Sequence, residues 1–320
     1  MRRAMLAAGA CLAAIALLAI TAAAFGHSPA LVLRTLFEGS IGSRFAIEGT
    51  LLKMVPLLLT GLSVVVAFRA GAWNIGAEGQ FITGAIAALI ASRFGNVAAI
   101  LAAAIAGAAW ASIASLMRLW RNAPEVLTTI LLNFIAIHVL GWCVNGPLRE
   151  ARGQYPQSDP ASATLPSIGS VHAGVPVSLL IAIAIWWLLY RTTEGLRLRA
   201  TGFNPEATRY AGINPGAQLF RAMAISGALA GLAGAFELLG VTHRLFERFA
   251  AGYGYSGIAV ALLALLHPLA SIASALFFAA LTTGAGELQR SADISATIAT
   301  FGQAVVILMV IAVSWRTRNA

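Results

Sequence analysis

Residues 50–81, TLLKMVPLLLTGLSVVVAFRAGAWNIGAEGQF, decide the fold class. Between Thr50 and Phe68 the only charge is Lys53, and the run nearly matches the roughly 20 apolar residues that a helix needs to cross a bilayer. At Arg69 the pattern changes. Asn74, Glu78 and Gln80 follow within a few residues, separated by Gly71, Gly76 and Gly79, before apolar sequence resumes at Phe81. Polar groups at membrane depth are costly and usually face a cavity or another helix. Glycines let the backbone break its helix or let two helices approach closely. The competing reading is a tight hydrated turn at the membrane surface. Against it stand the lack of a lysine near Glu78 and the density of hydrogen-bonding side chains in so short a turn.

The same kind of run recurs at about 4–25, 80–92, 96–117, 125–144, 175–190, 216–240, 254–267, 269–285 and 294–314. The expectation is an all-α, polytopic transmembrane helical bundle of about ten spans, forming a single domain over residues 1–320. The runs at 80–92 and 254–267 are short and adjoin glycine-rich polar stretches, which predicts one or two broken or partly inserted helices. Composition agrees: 59% of the 320 residues are hydrophobic and 10% are charged, against about 25% charged in a soluble domain. The net charge of +9 comes from arginines placed singly between apolar runs, which suits loops that orient helices and not a nucleic-acid surface. Cys11 and Cys143 each lie inside an apolar run and suggest neither a disulfide nor a zinc site. Arg2 and Arg3 precede a charge-free run that outlasts the 7–15 residues of a signal-peptide core, so an uncleaved first helix is expected. The arginine distribution then favours both termini inside.

Two hydrophilic connections stand out. The stretch 145–174 carries Pro147, Gly153, Pro156, Pro160 and Pro166 without helical period and reads as an external loop. The stretch 191–215 contains FNPEATRYAGINP at 203–215, in which Asn204 is a good N-cap, Pro205 suits the first helical position and Glu206 complements the helix dipole. Gly212 ends that short helix, and Asn214 with Pro215 starts the next span. Such a helix is marginal in water unless it docks on something. It is either a well-capped connector or a docking element for a soluble partner.

Further polar residues sit within apolar sequence. Asn133 is expected to hydrogen-bond across helices and His138 to lie at an interface, while Glu125 after Pro124 fits an ordinary first turn. In GYGYSGIAV at 252–260, Tyr253, Tyr255 and Ser256 either line a pathway or form an interfacial aromatic turn. The only lysine, Lys53, follows no phosphate-binding loop, and no H-E-x-x-H motif occurs, so neither ATP binding in a P-loop nor a metal or other cofactor is expected. Gly254-Tyr255-Ser256-Gly257 fits the G-x-S-G pattern of intramembrane serine proteases. The nearest downstream histidine, His267, would lie about 16 Å away along a helix, too far to serve as base.

In this order, NIGAEGQ at 74–80 after AFRAG, PEVLTTILLNFIA at 124–136, LRATGFNPEATRYAGI at 198–213, SGALAGLAGA at 226–235 and GIAVALLALLHPL at 257–269 resemble the permease subunits of bacterial ABC importers. The branch is the one serving nucleosides and simple sugars, related to branched-chain amino-acid permeases. The resemblance implies a multi-pass protein of the bacterial inner membrane, in contact with lipid, that forms half of a translocation pathway. It also implies a separate cytoplasmic ABC ATPase, a second homologous permease and an extracytoplasmic binding protein or lipoprotein. It assigns Asn204, Pro205, Glu206, Arg209 and Tyr210 to ATPase coupling. Pathway candidates are Asn74, Glu78, Gln80, Asn133, Tyr253, Tyr255 and Ser256. A nucleoside is the first choice of substrate and a simple sugar the second; His267-Pro268 departs from the more polar residue expected before that proline. An ion-coupled secondary carrier is the alternative, since 69–81 and 252–260 resemble the two broken helices of an inverted repeat. The purified chain is expected to hydrolyse no ATP by itself; nucleotide turnover above blank in detergent would contradict the division of labour.

Overall fold

The computed structural model describes residues 28–291 except 152 and 154, with isolated positions 16 and 23. The expected first and last spans, 4–25 and 294–314, therefore lie outside the described part. Within it, six helices are long and apolar enough to cross a membrane. In chain order the elements are α1 (Pro29–Ile41), α2 (Arg44–Arg69), α3 (Ala77–Ala91), α4 (Asn96–Arg121), α5 (Glu125–Asn145), α6 (Gly174–Arg191), α7 (Thr193–Phe203), α8 (Pro205–Tyr210), α9 (Pro215–Glu237), α10 (Tyr253–Leu263) and α11 (Ala270–Ser291). The protein is thus a mostly helical, multi-pass assembly, and its only paired strands among the described residues are the two-residue β1 (Ser167–Ile168) and β2 (Val171–His172).

Burial sorts the long helices. In the apolar window of α2, 78% of residues are buried, and in that of α9 with its terminal turn 67% are, so these two form the centre. The corresponding share is 28% for α4 and 33% for both α5 and α6. Their outer faces expose Leu101, Ile105, Leu131, Phe134, Trp142 and Leu180, as an apolar solvent permits.

Between helices in lipid, close packing of small residues replaces the hydrophobic drive. The run at 226–235 supplies it on α9. A Cβ on Gly227 would fall 2.2 Å from the Gly107 carbonyl oxygen of α4, and one on Gly231 would fall 2.2 Å from that of Ala103. On the neighbouring face, a Cβ on Gly234 would lie 2.1 Å from the Phe81 carbonyl oxygen of α3. Backbone therefore rests on backbone, and α9 joins α3 and α4 in one block. Pro56 inside α2 removes one helix donor, and its carbonyl accepts the Thr60 hydroxyl at 2.7 Å.

The two short runs give short helices, as expected, but with other bounds, and one helix was not expected. The run at 254–267 yields α10 of 11 residues, about 16 Å long and too short to span. The run at 80–92 yields α3 of 15 residues, about 22 Å, which begins earlier, at Ala77. Helix α1 was not anticipated, because Arg34 and Glu38 interrupt its apolar pattern; they pair on one face at 2.8 Å. The interior contacts carry a testable consequence. Gly231→Val should lower thermal stability in detergent by about 1–3 kcal/mol or abolish assembly, whereas Gly141→Ala, with open space at its Cβ, should change it little.

Candidate functional site at the meeting of two short helices

Helix α3 ends beside the 145–174 connection: the Ser92 hydroxyl accepts from Ser162 N at 3.0 Å, just before Asn96 donates to the Thr164 carbonyl at 2.8 Å. Helix α10 ends at the opposite face, where Arg69 at the end of α2 donates to the carbonyls of Leu266 at 2.9 Å and Leu265 at 3.2 Å. The two short helices therefore meet N-terminus to N-terminus inside the protein.

Glu78 occupies that junction. It lies in the first turn of α3 and is 3% exposed. Its Oε1 accepts from Gly252 N at 2.9 Å and its Oε2 from Gly254 N at 2.6 Å. One carboxylate thus satisfies donors that α10 leaves free at its start, and its negative charge faces the positive dipole ends of both helices. Gly254 makes the approach possible, since a Cβ there would stand 2.2 Å from Glu78 N. Gly257 does the same one turn later, against Thr60 of α2. The G-x-S-G match is accordingly a close-packing pattern; among the described residues Ser256 has no histidine bonded to it, and His267 stacks on Tyr190 with ring centroids 5.3 Å apart.

A second layer of amides surrounds the start of α3. Asn74 and Gln80 pair reciprocally, with both N–H···O distances at 3.0 Å. Asn74 also accepts from Gly76 N at 2.8 Å and donates to Ser226 of α9 at 2.8 Å, while Ser226 donates to the Ser63 carbonyl of α2 at 2.7 Å. From α5, Asn133 accepts from Gly79 N at 2.8 Å and donates to the Ile75 carbonyl at 2.9 Å and to Tyr255 Oη at 3.2 Å. The Trp110 indole N–H approaches Gly79 without a hydrogen-bond partner among the described residues. Asn74, Gln80 and Asn133 are almost wholly buried. From Asn74 onward the 69–81 segment is therefore an internal breakpoint, whereas Gly71 and Trp73 in the turn before it are exposed.

The rings lie beside the amides. Phe81 stands 5.8 Å from Tyr253 and 5.5 Å from Phe249, which in turn meets Phe246 at 5.9 Å, centroid to centroid. Tyr255 is 41% exposed and Phe246 38%, so these two are the open rings of the group. Of the seven pathway candidates, Asn74, Glu78, Gln80, Asn133, Tyr253, Tyr255 and Ser256, all gather at this junction. The coupling candidates do not: Asn204, Pro205, Glu206, Arg209 and Tyr210 are all exposed in or beside α8, at the far end of α6 from the 145–174 connection. Sequence reading missed Thr60, Ser63, Ser226, Arg69 and Thr129, whose hydroxyl accepts from Ile75 N at 3.3 Å. The serines and threonines look like ordinary small residues of apolar helices, and Arg69 looks like a loop charge.

The 145–174 connection is tied to the chain that follows α9. Ser158 N donates to the Leu245 carbonyl at 2.9 Å, Ala161 N to that of His243 at 2.8 Å and Leu165 N to that of Leu239 at 2.9 Å. Arg244 pairs with Glu150 at 2.7 Å and, with Gln157, holds that carboxyl below the usual carboxylate range. The His172 ring fits between Gly174 and Gly240, where added Cβ atoms would both fall 2.5 Å from it, and its Nδ1 accepts from Gly174 N at 3.0 Å. Burial, then the neighbouring His243, lowers the His172 pKa to about 4.

These features define a multi-helix membrane protein whose centre is a buried junction of two short helices, with nothing resembling a catalytic constellation among the described residues. Residues 46–318 match the family described as branched-chain amino acid transport system, permease component. The chain belongs to that family: it is a permease component of an ABC importer and not an enzyme. It is 32% identical to the guanosine ABC transporter permease protein of Bacillus subtilis, over 89% of this chain and 86% of that one. It is 31% identical to the glucose ABC transporter permease protein of Haloferax volcanii, over 94% of this chain and 85% of that one. A nucleoside ABC transporter permease protein of Lactococcus lactis is 30% identical over 83% of this chain and 79% of its own length.

The buried His172 gives the outer connection a pH dependence with a definite sign. Its folded pKa lies below the unfolded value of about 6.5, so its contribution is fully present above that value and is lost as pH falls towards about 4. Lowered Glu150 acts in the same direction at the acid end. The protection factors of the Ser158, Ala161 and Leu165 amides, taken against intrinsic exchange at each pH, should therefore fall between pH 6.5 and 4, and His172→Gln should flatten the His172 part of that dependence.

Proposed function

We propose that this chain forms half of a translocation pathway for a nucleoside, together with a second, homologous and distinct permease, in a bacterial inner (plasma) membrane. A simple sugar is the second choice of substrate. On this reading the chain is one domain over 1–320 with about ten membrane segments, six of them the long described helices and two the short helices α3 and α10, and both termini are cytoplasmic. The face bearing α7 and α8 is then cytoplasmic and meets the ATPase. The 145–174 connection faces the extracytoplasmic binding protein or lipoprotein, and the outer faces of α4, α5 and α6 meet lipid.

The observation that carries the coupling assignment is α8 itself. It has six residues, is capped by the Asn204 side chain accepting from Ala207 N at 3.0 Å, and exposes every side chain but that of Thr208. A helix so short and so open gains its stability from a partner. Tyr210, at 93% exposure, and Phe203, at 82%, offer it aromatic anchors. For the pathway, the half-open ring of Tyr255 beside Asn133, and that of Phe246 against Phe249, support a flat aromatic base, because such a base stacks on exposed rings. The names of the Bacillus and Lactococcus relatives point the same way, and that of the Haloferax relative keeps glucose in view.

Replacing Glu206 and Arg209 together by alanine should weaken capture of the ATPase by about tenfold, as expected for loss of interface contacts, while the permease still inserts. Unchanged association and unchanged transport would remove the coupling assignment. Substrate class is read by competition: unlabelled guanosine, in excess over glucose's effect, should suppress uptake by the complete transporter, and suppression by glucose alone would select the sugar.

A further inference from the structure

The turn after α2 stands between the exposed helices α7 and α8 and the pathway helix α10. On one side Gly202 of α7 lies against it so closely that a Cβ there would come 2.2 Å from the Arg69 carbonyl oxygen, and a Cβ on Gly71 would meet the Gly202 Cα at 3.2 Å. This contact is backbone on backbone, with no side chain between to absorb a displacement by changing rotamer. On the other side the Arg69 guanidinium holds the carbonyls of Leu265 and Leu266, in the turn just beyond the end of α10. Both leucines have left-handed backbone, with φ of 52° and 58°, a conformation that bulky side chains disfavour and that the surroundings must impose. A parallel contact runs beside it: Arg199 of α7 lies 4.8 Å over the Tyr190 ring, which stacks on His267 at the end of the same turn.

We propose that Arg69 is a positioning residue that carries movement of α7 and α8 to the C-terminal end of α10. The inference rests on α8 being the element the ATPase moves. A displacement of α7 pushes the Arg69–Gly71 turn, the guanidinium pulls the Leu265–Leu266 carbonyls with it, and α10 pivots about its other end, where Glu78 holds Gly252 and Gly254. Coupling of this kind requires a contiguous packed route between two elements, and the two glycine contacts with the guanidinium supply one. A helix cap with no such role would affect stability alone.

The test uses the complete transporter, with its ATPase, second permease and binding protein, in lipid vesicles. A cysteine introduced by Leu262→Cys near the C-terminal end of α10, at a half-buried position far from the Glu78 pivot, is labelled with a small water-soluble maleimide, with and without ATP plus vanadate. With Arg69 intact the labelling rate should change on nucleotide trapping. Arg69→Gln should shrink that change about fivefold or more, the size of a typical coupling energy, while ATPase association and basal ATP hydrolysis persist, and Arg69→Lys should restore part of it. An undiminished change in Arg69→Gln, or no nucleotide-dependent change with Arg69 intact, would overturn the proposal. If Arg69→Gln fails to assemble, Arg69→Lys decides: a reduced change supports the route and an unreduced one overturns it. Failure of the α8 reading is distinguishable, since it shows in the Glu206 and Arg209 variants as undisturbed ATPase association.

Discussion

A single carboxylate set between two helix beginnings is the constraint on which the rest of the structure depends. Inside a membrane protein, free N–H groups at a helix start cannot turn to water, and each unsatisfied group costs several kcal/mol at about the depth where α3 and α10 begin. Glu78 answers for α10 from the first turn of α3, and Asn74 and Asn133 take donors at the start of α3. Because those donors are met internally, neither helix has to run the full thickness of the bilayer. The approach also demands Gly254 and Gly257, since any side chain there would push α10 away from α3 and α2.

From this junction the other features acquire their places. Helix α9 packs its glycine face on α3 and α4 and makes the block against which α10 lies. The extended chain after α9 is fixed to the 145–174 connection by Ser158, Ala161 and Leu165, which leaves α10 held on its outer side through that segment. Its other end is held by Arg69 alone among the charged side chains that reach Leu265 and Leu266 in the described residues. A short helix gripped at both ends by charged groups from one neighbouring stretch, 69–78, is mechanically distinct from the spans around it. That arrangement suits a permease component, whose central element must be ordered in more than one position.

Much of this was legible in sequence. Long apolar runs located the six described long helices, with the start of α2 and the end of α11 extending beyond their runs, to Arg44 and Ser291, and the caps at Asn204 and Asn214 behaved as side-chain chemistry dictates, accepting from Ala207 N and from Gly216 and Ala217 N. Asn133 was expected to reach across helices and does. The failures have physical causes. Hydropathy continues through Leu265 and Leu266, so nothing in composition announced that α10 stops at Leu263; the stop is a left-handed turn imposed by packing and by Arg69. Helix α1 was hidden because Arg34 and Glu38 look polar singly and neutral only as a pair. The partner of Glu78 lies more than 170 residues away, and no local pattern points from a carboxylate to backbone amides at that separation.

The most direct measurement is site-resolved hydrogen exchange of the amides from Gly252 to Ser256 in the purified protein and in Glu78→Gln. The amide of the variant can offer only one acceptor oxygen and turns donors toward donors, so the start of α10 should lose protection by tenfold or more, about 1.4 kcal/mol, while α4 to α6 keep theirs. Protection at Gly252 and Gly254 that is unchanged in the variant would contradict the claim that this carboxylate holds the two helices together.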